Sequence, residues 1–210
     1  MSRDLGAVCR RCRREGVKLF LKGLRCETAK CPIEKQDHNK PPGMHAWRRG
    51  RSSDYAVHLR EKQKVKRYYG VLEKPFRRYF RQAERIRGNT GEALLGLLER
   101  RLDNVVFKMN MTSSRRLARQ VIGHGHVHVN GHKVDVASYL VNQGDKITLK
   151  KSDKSEKLIR SHLDTEGSAE VQSWLQVNTT VAEGVVLALP SREDVQIPVE
   201  EQLIVEFCSR

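Results

Sequence analysis

Four cysteines lie close together near the start of the chain, and their spacing is suited to chemistry. Cys9, Cys12, Cys26 and Cys31 follow the pattern C-x2-C-x13-C-x4-C. Two close pairs of thiolates can complete a tetrahedron around one metal ion, and four protein ligands leave no open position for water. The spacing therefore predicts one structural Zn²⁺ site, although four thiolates can also hold an iron–sulfur cluster.

Two other uses of these thiols fit the sequence less well. Disulfides form in oxidising compartments, whereas the first residues lack the apolar stretch of a signal peptide. A redox-active C-x2-C is typical of a βαβ pattern, which the surrounding sequence does not have. We therefore expect reduced thiols in a cytoplasmic protein. Residues 13–25, between the two pairs, alternate apolar side chains and are predicted to form a small hairpin, while Cys208 is expected to be an ordinary packed residue.

Positive charge is concentrated in the first part of the chain. Residues 1–88 hold 25 Lys and Arg against 9 Asp and Glu, whereas residues 151–210 hold 6 against 11. Such an excess of cations predicts a polyanionic partner. Nucleic acid is favoured over an anionic membrane, because no stretch combines a basic face with a broad apolar face, and no apolar run is long enough to span a bilayer.

Two basic helices are predicted after a Pro, Gly and Arg-rich arm at 38–53. Ser53 and the acid after it cap the first helix, which Gly70 ends. The second is predicted to begin at Pro75 and to bury Phe76 and Phe80 on one face. Few acids balance the cations of these helices, so we expect their exposed faces to contact RNA.

The pattern of apolar and turn residues at 89–150 predicts a compact module. Asn89 begins a long apolar-periodic helix that is expected to continue to residue 110, and Ser113 is expected to cap a short helix with an arginine-rich outer face. Asn130-Gly131 predicts a β-hairpin, followed by a strand at 146–150. Further along, residues 185–189 predict a buried strand and residues 199–207 an amphipathic closing helix.

In order along the chain, these pieces resemble one family. The stretches are VCRRCRREG, SDYAVHLREKQKVKRYYG, GLLERRLDNVVF, SRRLARQVIGHGHVHVNGHKVD, GDKI and EEQLIVEF. They are similar to bacterial small-subunit ribosomal protein S4, in the form that keeps its N-terminal cysteines. The resemblance implies an α+β fold with a four-Cys metal knuckle, a mainly helical domain, and an inserted α/β RNA-binding domain of the S4 type.

The resemblance also implies a domain organisation. We expect a knuckle and the start of the basic arm at 1–41, and a basic helical domain at 42–97 that the helix at 196–210 joins. The S4-type RNA-binding module is expected at 98–163, and the remainder of the inserted domain at 164–195.

The function implied by the resemblance is structural. It is direct, early binding of 16S rRNA at a helix junction of the 5′ domain, which nucleates assembly of the body of the small subunit and contributes to translational accuracy. The expected partners are proteins S5 and S12, with messenger RNA nearby where it enters the subunit. No membrane or DNA partner is expected.

An enzyme is one alternative function. Arg101-Leu102-Asp103 resembles the catalytic motif of pseudouridine synthases, but it lies inside the apolar-periodic helix and no large catalytic domain accompanies it. Asp103 is therefore expected to be a helix-surface or ion-pair residue, and the protein is not expected to be an enzyme.

A transcription factor is a second alternative, since a four-Cys knuckle and basic helices occur in DNA-binding proteins. The dimer-forming heptads and repeated fingers of many such proteins are missing from the sequence. A histidine metal cluster at His124, His126, His128 and His132 is also disfavoured, because strand alternation directs two of them outward, toward RNA or solvent.

The candidate RNA-contacting residues are the cationic, polar and aromatic side chains that these elements place outside the predicted core. They are Arg10, Arg11, Arg13, Arg14, Lys18, Lys22, Trp47, Arg48, Arg49, Arg51, Ser53, Tyr55, Arg60, Lys62, Lys64, Lys66, Arg67, Tyr69, Arg77, Arg81, Arg85, Ser113, Ser114, Arg115, Arg116, Arg119, Gln120, His124, His126, Asn130 and Lys133.

Overall fold

The computed structural model describes residues 6–35, 38–44, 52–150, 152, 171–178 and 181–209. The chain divides into two units, Met1–Leu94 with Ile197–Arg210, and Leu95–Gln196. The described part of the first unit is helical, while the second combines helices with an antiparallel sheet, so the α+β class is confirmed. Within the described residues, no helix combines the length and apolar character needed to cross a membrane.

The described helices of the first unit are short to medium in length. They are α1 (Cys9–Glu15), a 3₁₀ helix (Gly23–Cys26), α2 (Asp54–Tyr68), α3 (Glu73–Ala83), the first half of α4 (Thr90–Glu99), and α7 (Glu201–Cys208). The predicted start and end of α2 are confirmed. Ser53 Oγ accepts a hydrogen bond from the Ala56 N–H at 3.3 Å, and Gly70 follows the helix with a φ of 60°.

The predicted hairpin between the cysteine pairs is wrong. Residues 13–25, all of them described, contain no strand. Gly16 takes a left-handed conformation with φ 72° and ψ 6° and ends α1, and the chain then turns into the 3₁₀ helix. Of the alternating apolar residues only Leu19 is fully buried, so the segment lacks the continuous apolar face that would reward strand pairing.

Aromatic and aliphatic side chains of α2, α3 and α7 form the core of the first unit. Phe76 and Phe80 are buried on one face of α3, as predicted, and Ile204 of α7 is fully buried. The rings of Tyr55 and Phe207 lie 5.3 Å apart. The closing helix therefore packs against α2, which explains why two stretches far apart in the sequence belong to one unit.

The described part of the second unit contains the rest of α4, then α5 (Leu102–Lys108) and α6 (Arg115–Gly123), and five strands. The strands are β1 (Val127–Val129), β2 (His132–Lys133), β3 (Lys146–Leu149), β4 (Leu175–Asn178) and β5 (Glu183–Val186). They pair antiparallel in the order β2-β1-β3-β5-β4.

The single long helix predicted from residue 93 to 110 is wrong. It is divided into α4 and α5 at Arg101, which has φ −66° and ψ 134° and forms a backbone bridge with Leu140. The Leu102 N–H donates to the Tyr139 carbonyl at 2.8 Å, and Arg100 Nε donates to the Val141 carbonyl at 2.9 Å. The break is therefore imposed by a distant loop, while the apolar periodicity continues on both sides of it.

The hairpin turn is present as predicted, whereas the cap of α6 and the end of β5 differ from the prediction. Asn130 and Gly131 have φ values of 51° and 81°, so the predicted hairpin with its Asn-Gly turn is confirmed. The cap is Ser114 rather than Ser113, because Ser114 Oγ accepts from the Leu117 N–H at 3.3 Å. Strand β5 ends at Val186, before the predicted 185–189 stretch is complete.

The core of the second unit lies between α5, α6 and the sheet. Its buried members are mostly aliphatic: Leu102, Val105, Val106, Met109, Met111, Ala118, Val121, Ile122, Val127, Val129, Ala137, Val141, Ile147, Leu149, Trp174, Leu175, Ala182 and Val186. Burial of these side chains fixes the face of α6 that turns outward.

We predict that Gly184→Ala destabilises the second unit by about 1–3 kcal/mol, the usual cost of overpacking a core. A Cβ on Gly184 would lie 2.4 Å from Met109 Sδ, and Met109 is fully buried. The matched control is Gly123→Ala at the end of α6, where a Cβ meets no atom within 4 Å. Urea unfolding should show a loss only for Gly184→Ala, and equal stability of the two variants would contradict the packing.

Candidate RNA-binding surfaces and thiol cluster

Helix α1 and the 3₁₀ helix position the four cysteines of the N-terminal segment. Cys9 and Cys12 lie one turn apart on α1, Cys26 ends the 3₁₀ helix, and Cys31 follows it. None of the four forms a disulfide, and all except the half-buried Cys9 are buried. We call these four residues the thiol cluster.

The thiols of the cluster influence one another. Burial raises the pKa of Cys12, and the charges of Cys26, Cys9 and Cys31 raise it further, whereas a backbone hydrogen bond from Leu19 lowers it. Burial likewise raises the pKa of Cys26, whose Sγ accepts a hydrogen bond from the Lys22 N–H at 3.4 Å. The sulfurs are therefore close enough to interact, and backbone donors are directed at two of them.

The predicted metal centre is not confirmed by this geometry. Among the described residues, no group of three or more His, Cys, Asp or Glu side chains is arranged to hold a metal ion. The donor chemistry nevertheless fits zinc, since four thiols from two short elements, three of them buried, supply the soft ligands that Zn²⁺ takes in closed structural sites.

A buried carboxylate connects α1 to α2. The Glu15 side chain is fully buried and forms ion pairs with Arg60, at 3.5 Å, and with Arg67. Burial raises the pKa of Glu15, although the charges of Arg67 and Arg60 act in the opposite direction. Burial lowers the pKa of Arg67, Glu15 raises it, and the nearby Arg60 lowers it again. Two of the predicted RNA contacts are thus already engaged by an acid of the protein.

A second carboxylate pairs with other cations of the same part of α2. Glu73 Oε1 accepts from Lys62 Nζ and Glu73 Oε2 accepts from Lys66 Nζ, both at 2.8 Å, and Arg77 Nε donates to Oε1 at 3.2 Å. Lys62 is only 4% exposed, and its ammonium also lies 4.7 Å from the centre of the Phe207 ring. This corrects the prediction for Lys62, which packs inside the first unit.

The exposed cations of α3 form a basic surface. A depression of about 460 Å³ on this helix is lined by Lys74, Arg77, Arg78, Arg81, Gln82 and Arg85. We call these six residues the α3 basic surface. Arg77, Arg81 and Arg85 were predicted from their four-residue spacing. Lys74 and Arg78 were missed, although they repeat the same spacing on the adjacent row.

The arginine-rich face predicted for α6 is divided between surface and interior. Arg116 and Gln120 are exposed. Arg119 Nε donates to Asp103 Oδ2 at 2.5 Å, and Arg101 donates to both oxygens of the same carboxylate at 3.1 and 2.8 Å. Asp103 is 1% exposed, so the expected ion pair is present but the helix-surface position is wrong.

Arg115 corrects the α6 prediction most clearly, since it turns inward. Its Nε donates to Asn104 Oδ1 at 2.7 Å, and the Asn104 amide donates in turn to the side chain of the fully buried Glu99. The Arg115 guanidinium also lies 4.5 Å from the centre of the Phe107 ring. As the first residue of α6, Arg115 faces α5, and helical spacing alone did not reveal this contact.

Lys108 is a further buried cation in the second unit. Its Nζ donates to Gln196 Oε1 at 2.8 Å. Burial lowers the pKa of Lys108 to about 8, although the charge of Glu99 acts in the opposite direction. Lys108 is the last residue of α5, and helical spacing alone did not reveal that its side chain would be enclosed.

The hairpin presents a mixed surface beside the end of α6. His124 and Lys133 are exposed, and the rings of His124 and His126 lie 6.1 Å apart. The Asn130 side chain is used by the fold, since its Nδ2 donates to Asp145 Oδ1 at 2.8 Å and its Oδ1 accepts from the Lys146 N–H at 2.9 Å. The Asn130 side chain, which was predicted to contact RNA, therefore also joins the hairpin turn to the start of β3.

The remaining predicted contacts divide by exposure. Tyr69 is 1% exposed and corrects the prediction, since it belongs to the core. Trp47, Arg48, Arg49 and Arg51 lie outside the described residues. Exposed predicted residues include Arg10, Arg14, Lys22, Ser53 and Tyr55, and half-buried ones include Arg11, Arg13, Lys18, Lys64, Ser113 and Ser114.

Family comparisons cover both units. Residues 3–99 match the family described as "Ribosomal protein S4/S9 N-terminal domain", and residues 100–147 match the S4 domain. A basic helical unit followed by an S4 domain defines the class of S4-domain ribosomal proteins.

Full-length relatives narrow the class to one family. The chain is 52% identical over 210 residues to "Small ribosomal subunit protein uS4" of Halothermothrix orenii, 50% identical over 210 residues to that of Thermodesulfovibrio yellowstonii, and 49% identical over 211 residues to that of Thermus thermophilus. Each alignment covers 100% of both chains. The chain belongs to the uS4 family.

We predict that Glu73 makes stability sensitive to acid. Burial alone would raise its pKa, but hydrogen bonds from Lys62 and Lys66 lower the pKa of Glu73 to about 2. Its contribution is therefore fully present above the ordinary value of 4.5 and is lost as pH falls toward 2. Glu73→Gln should cost about 1 kcal/mol at pH 7, the upper range for partly exposed ion pairs.

Urea unfolding at several pH values measures this effect. The stability difference between the wild type and Glu73→Gln should shrink between pH 4.5 and 2. The control Glu84→Gln removes an exposed carboxylate just after α3, and its effect should change little over that range. A Glu73→Gln difference that stays constant with pH would contradict the assignment.

Proposed function

We propose that this protein is a structural, non-enzymatic constituent of the small ribosomal subunit in the cytoplasm, and that it acts by binding ribosomal RNA. The α3 basic surface is the observation that carries the proposal. It presents four cations on α3 and a fifth, Arg85, just beyond the end of the helix, and Glu73 pairs with Arg77 among them. Forked guanidinium donors at four-residue spacing suit the backbone and shape of folded RNA. Family membership supplies the identity of that RNA.

In finer detail, we propose that the protein binds the 5′ domain of 16S rRNA directly at a helix junction. By binding early it would nucleate assembly of the subunit body and contribute to translational accuracy. Proteins S5 and S12 are the proposed protein neighbours, with messenger RNA near its point of entry. The family resemblance supports these details, and the exposed Arg116, Gln120, His124 and Lys133 of the second unit provide a second polar surface.

A catalytic role is disfavoured by the surroundings of Asp103. The carboxylate is 1% exposed and is held by Arg101 and Arg119, so it is not available to a substrate. A buried carboxylate held by two guanidinium groups is a structural arrangement, and no step of a reaction follows from it.

We also propose that the thiol cluster holds one structural Zn²⁺. Cys9, Cys12, Cys26 and Cys31 would be the ligands, and the ion would supply folding free energy to a segment that has little apolar core. Support comes from the burial of three of the thiols and from the backbone N–H groups directed at the sulfurs of Cys12 and Cys26.

We predict a specific loss of RNA affinity when the α3 basic surface is neutralised. Arg77→Ala, Arg81→Ala and Arg85→Ala together should preserve the helix. Each phosphate contact contributes about 0.9 to the slope of the log of the binding constant against the log of the salt concentration, so the loss of three contacts should lower the magnitude of that slope by about 2–3. Filter binding to a fragment of the 5′ domain of 16S rRNA at several salt concentrations measures both quantities.

A charge-preserving control separates guanidinium geometry from net charge. The triple Arg→Lys variant at the same positions should keep most of the salt slope and lose part of the affinity, because an ammonium cannot bind phosphate bidentately. Wild-type affinity and slope in the triple Ala variant would contradict the proposed RNA surface.

We predict about one equivalent of zinc in protein purified without chelator. Cys12→Ser and Cys26→Ser should lose the metal, whereas the matched control Cys208→Ser, which removes the only cysteine outside the cluster, should keep it. Elemental analysis gives the content, and hydrogen exchange after chelation should show loss of protection in residues 6–35 and none in the second unit. Less than about half an equivalent of zinc or iron would contradict the metal site.

A further inference from the structure

Glu15 stands out among the buried groups of the first unit. Its side chain is fully buried, and a single oxygen, Oε1, accepts from Arg60 Nη1 at 3.5 Å and from Arg67 Nη1. The other oxygen, Oε2, is buried and has no hydrogen-bond partner among the described residues. A carboxylate oxygen kept in this state costs free energy, so the arrangement calls for a physical reason.

Cations outnumber the acid at this point of the structure. The charges of Arg67, Arg60, Lys64 and Arg14 all act on Glu15, and Arg11 also acts on Arg67. Lys64 has its own acid, since its Nζ lies 2.5 Å from Glu61 Oε1. Three arginines, Arg14 of α1 and Arg60 and Arg67 of α2, therefore act on one carboxylate, and the surplus of positive charge favours an anion.

Arg60 and Arg67 retain donors for such an anion. Their side chains are 34% and 25% exposed, so neither guanidinium is enclosed. A guanidinium has five N–H donors, and Glu15 accepts one from each residue. Two guanidinium groups fixed side by side at the surface are suited to bidentate binding of a phosphate.

We propose that Glu15 is a positioning residue for RNA binding, whose buried carboxylate holds Arg60 and Arg67 together so that they bind one backbone phosphate as a pair. This inference rests on the proposed function and adds to it a second basic site, separate from the α3 basic surface. Without the carboxylate, the two arginines would repel each other and become mobile in solvent. Binding RNA would then have to order both side chains, which costs free energy.

The alternative is that Glu15 only attaches α1 to α2. The two roles predict opposite changes in RNA affinity when the negative charge of Glu15 is removed. Removing a negative charge from a protein that binds a polyanion should strengthen binding by general electrostatics. A positioning role predicts weaker binding despite the more positive charge, because the arginine pair is no longer held in place.

The variant Glu15→Gln shows in which direction RNA affinity changes. Binding to the fragment of the 5′ domain of 16S rRNA is measured with the full chain at 25 °C, and the melting temperature of each variant is measured in parallel. We expect Glu15→Gln to bind about tenfold more weakly. The matched control is Glu34→Gln, which removes one carboxylate from the same segment, where it pairs with Lys18, and should stay within about twofold of the wild type.

A double-mutant cycle shows whether Glu15 acts through Arg67. Arg67→Met should weaken binding about tenfold, and the double variant Glu15→Gln with Arg67→Met should be no weaker than Arg67→Met alone. Lys66→Met removes a neighbouring charge of α2 that pairs with Glu73, and it should cost less than about threefold.

The outcomes are separable. Glu15→Gln binding as tightly as the wild type, or additive effects in the cycle, would overturn the inference. If Glu15→Gln fails to fold, Arg67→Lys carries the test, since it keeps the charge and loses the planar fork. Weakening of at least fivefold supports the positioning role, and wild-type affinity overturns it. Failure of the wild type to bind the rRNA fragment would instead contradict the proposed function.

Discussion

Repulsion between cations is the constraint on which the rest of this structure depends. The first 88 residues hold 25 Lys and Arg, and the first unit brings many of them together. A few carboxylates make this arrangement stable. Glu15 and Glu73 each accept from cations of α2, and Asp103 does the same for two arginines of the second unit. Because these acids are buried or partly buried, each interacts with several cations more strongly than an exposed acid would.

The acids also decide which cations are left for RNA. Lys62 and Arg115 are buried in contacts within their own units, whereas the α3 basic surface is exposed. Net charge alone therefore overstates the binding surface. The surface that can bind RNA consists of those cations that still have N–H donors facing solvent after their contacts within the protein are made.

Local signals in the sequence predicted much of the fold. Ser53, Gly70 and Asn130-Gly131 act through their own backbone and nearest neighbours, and the elements they predict are present. The failures involve distant partners. Arg101 leaves the helix because it pairs with the strand-like residue Leu140, and Arg115 turns inward because Asn104 accepts from it. Helical spacing gives the direction of a side chain, but it cannot show that a second element covers that direction.

Packing of α7 on α2 has a consequence for synthesis of the chain. The first unit needs both helices, and about a hundred residues separate its two parts along the sequence. At about 5–20 residues per second, translation takes on the order of 10 s to cross that distance. During this interval the second unit can fold while α2 still lacks the contact between Tyr55 and Phe207. Helix α2 therefore stays incompletely packed until α7 has been synthesised, so the first unit is completed only at the end of translation.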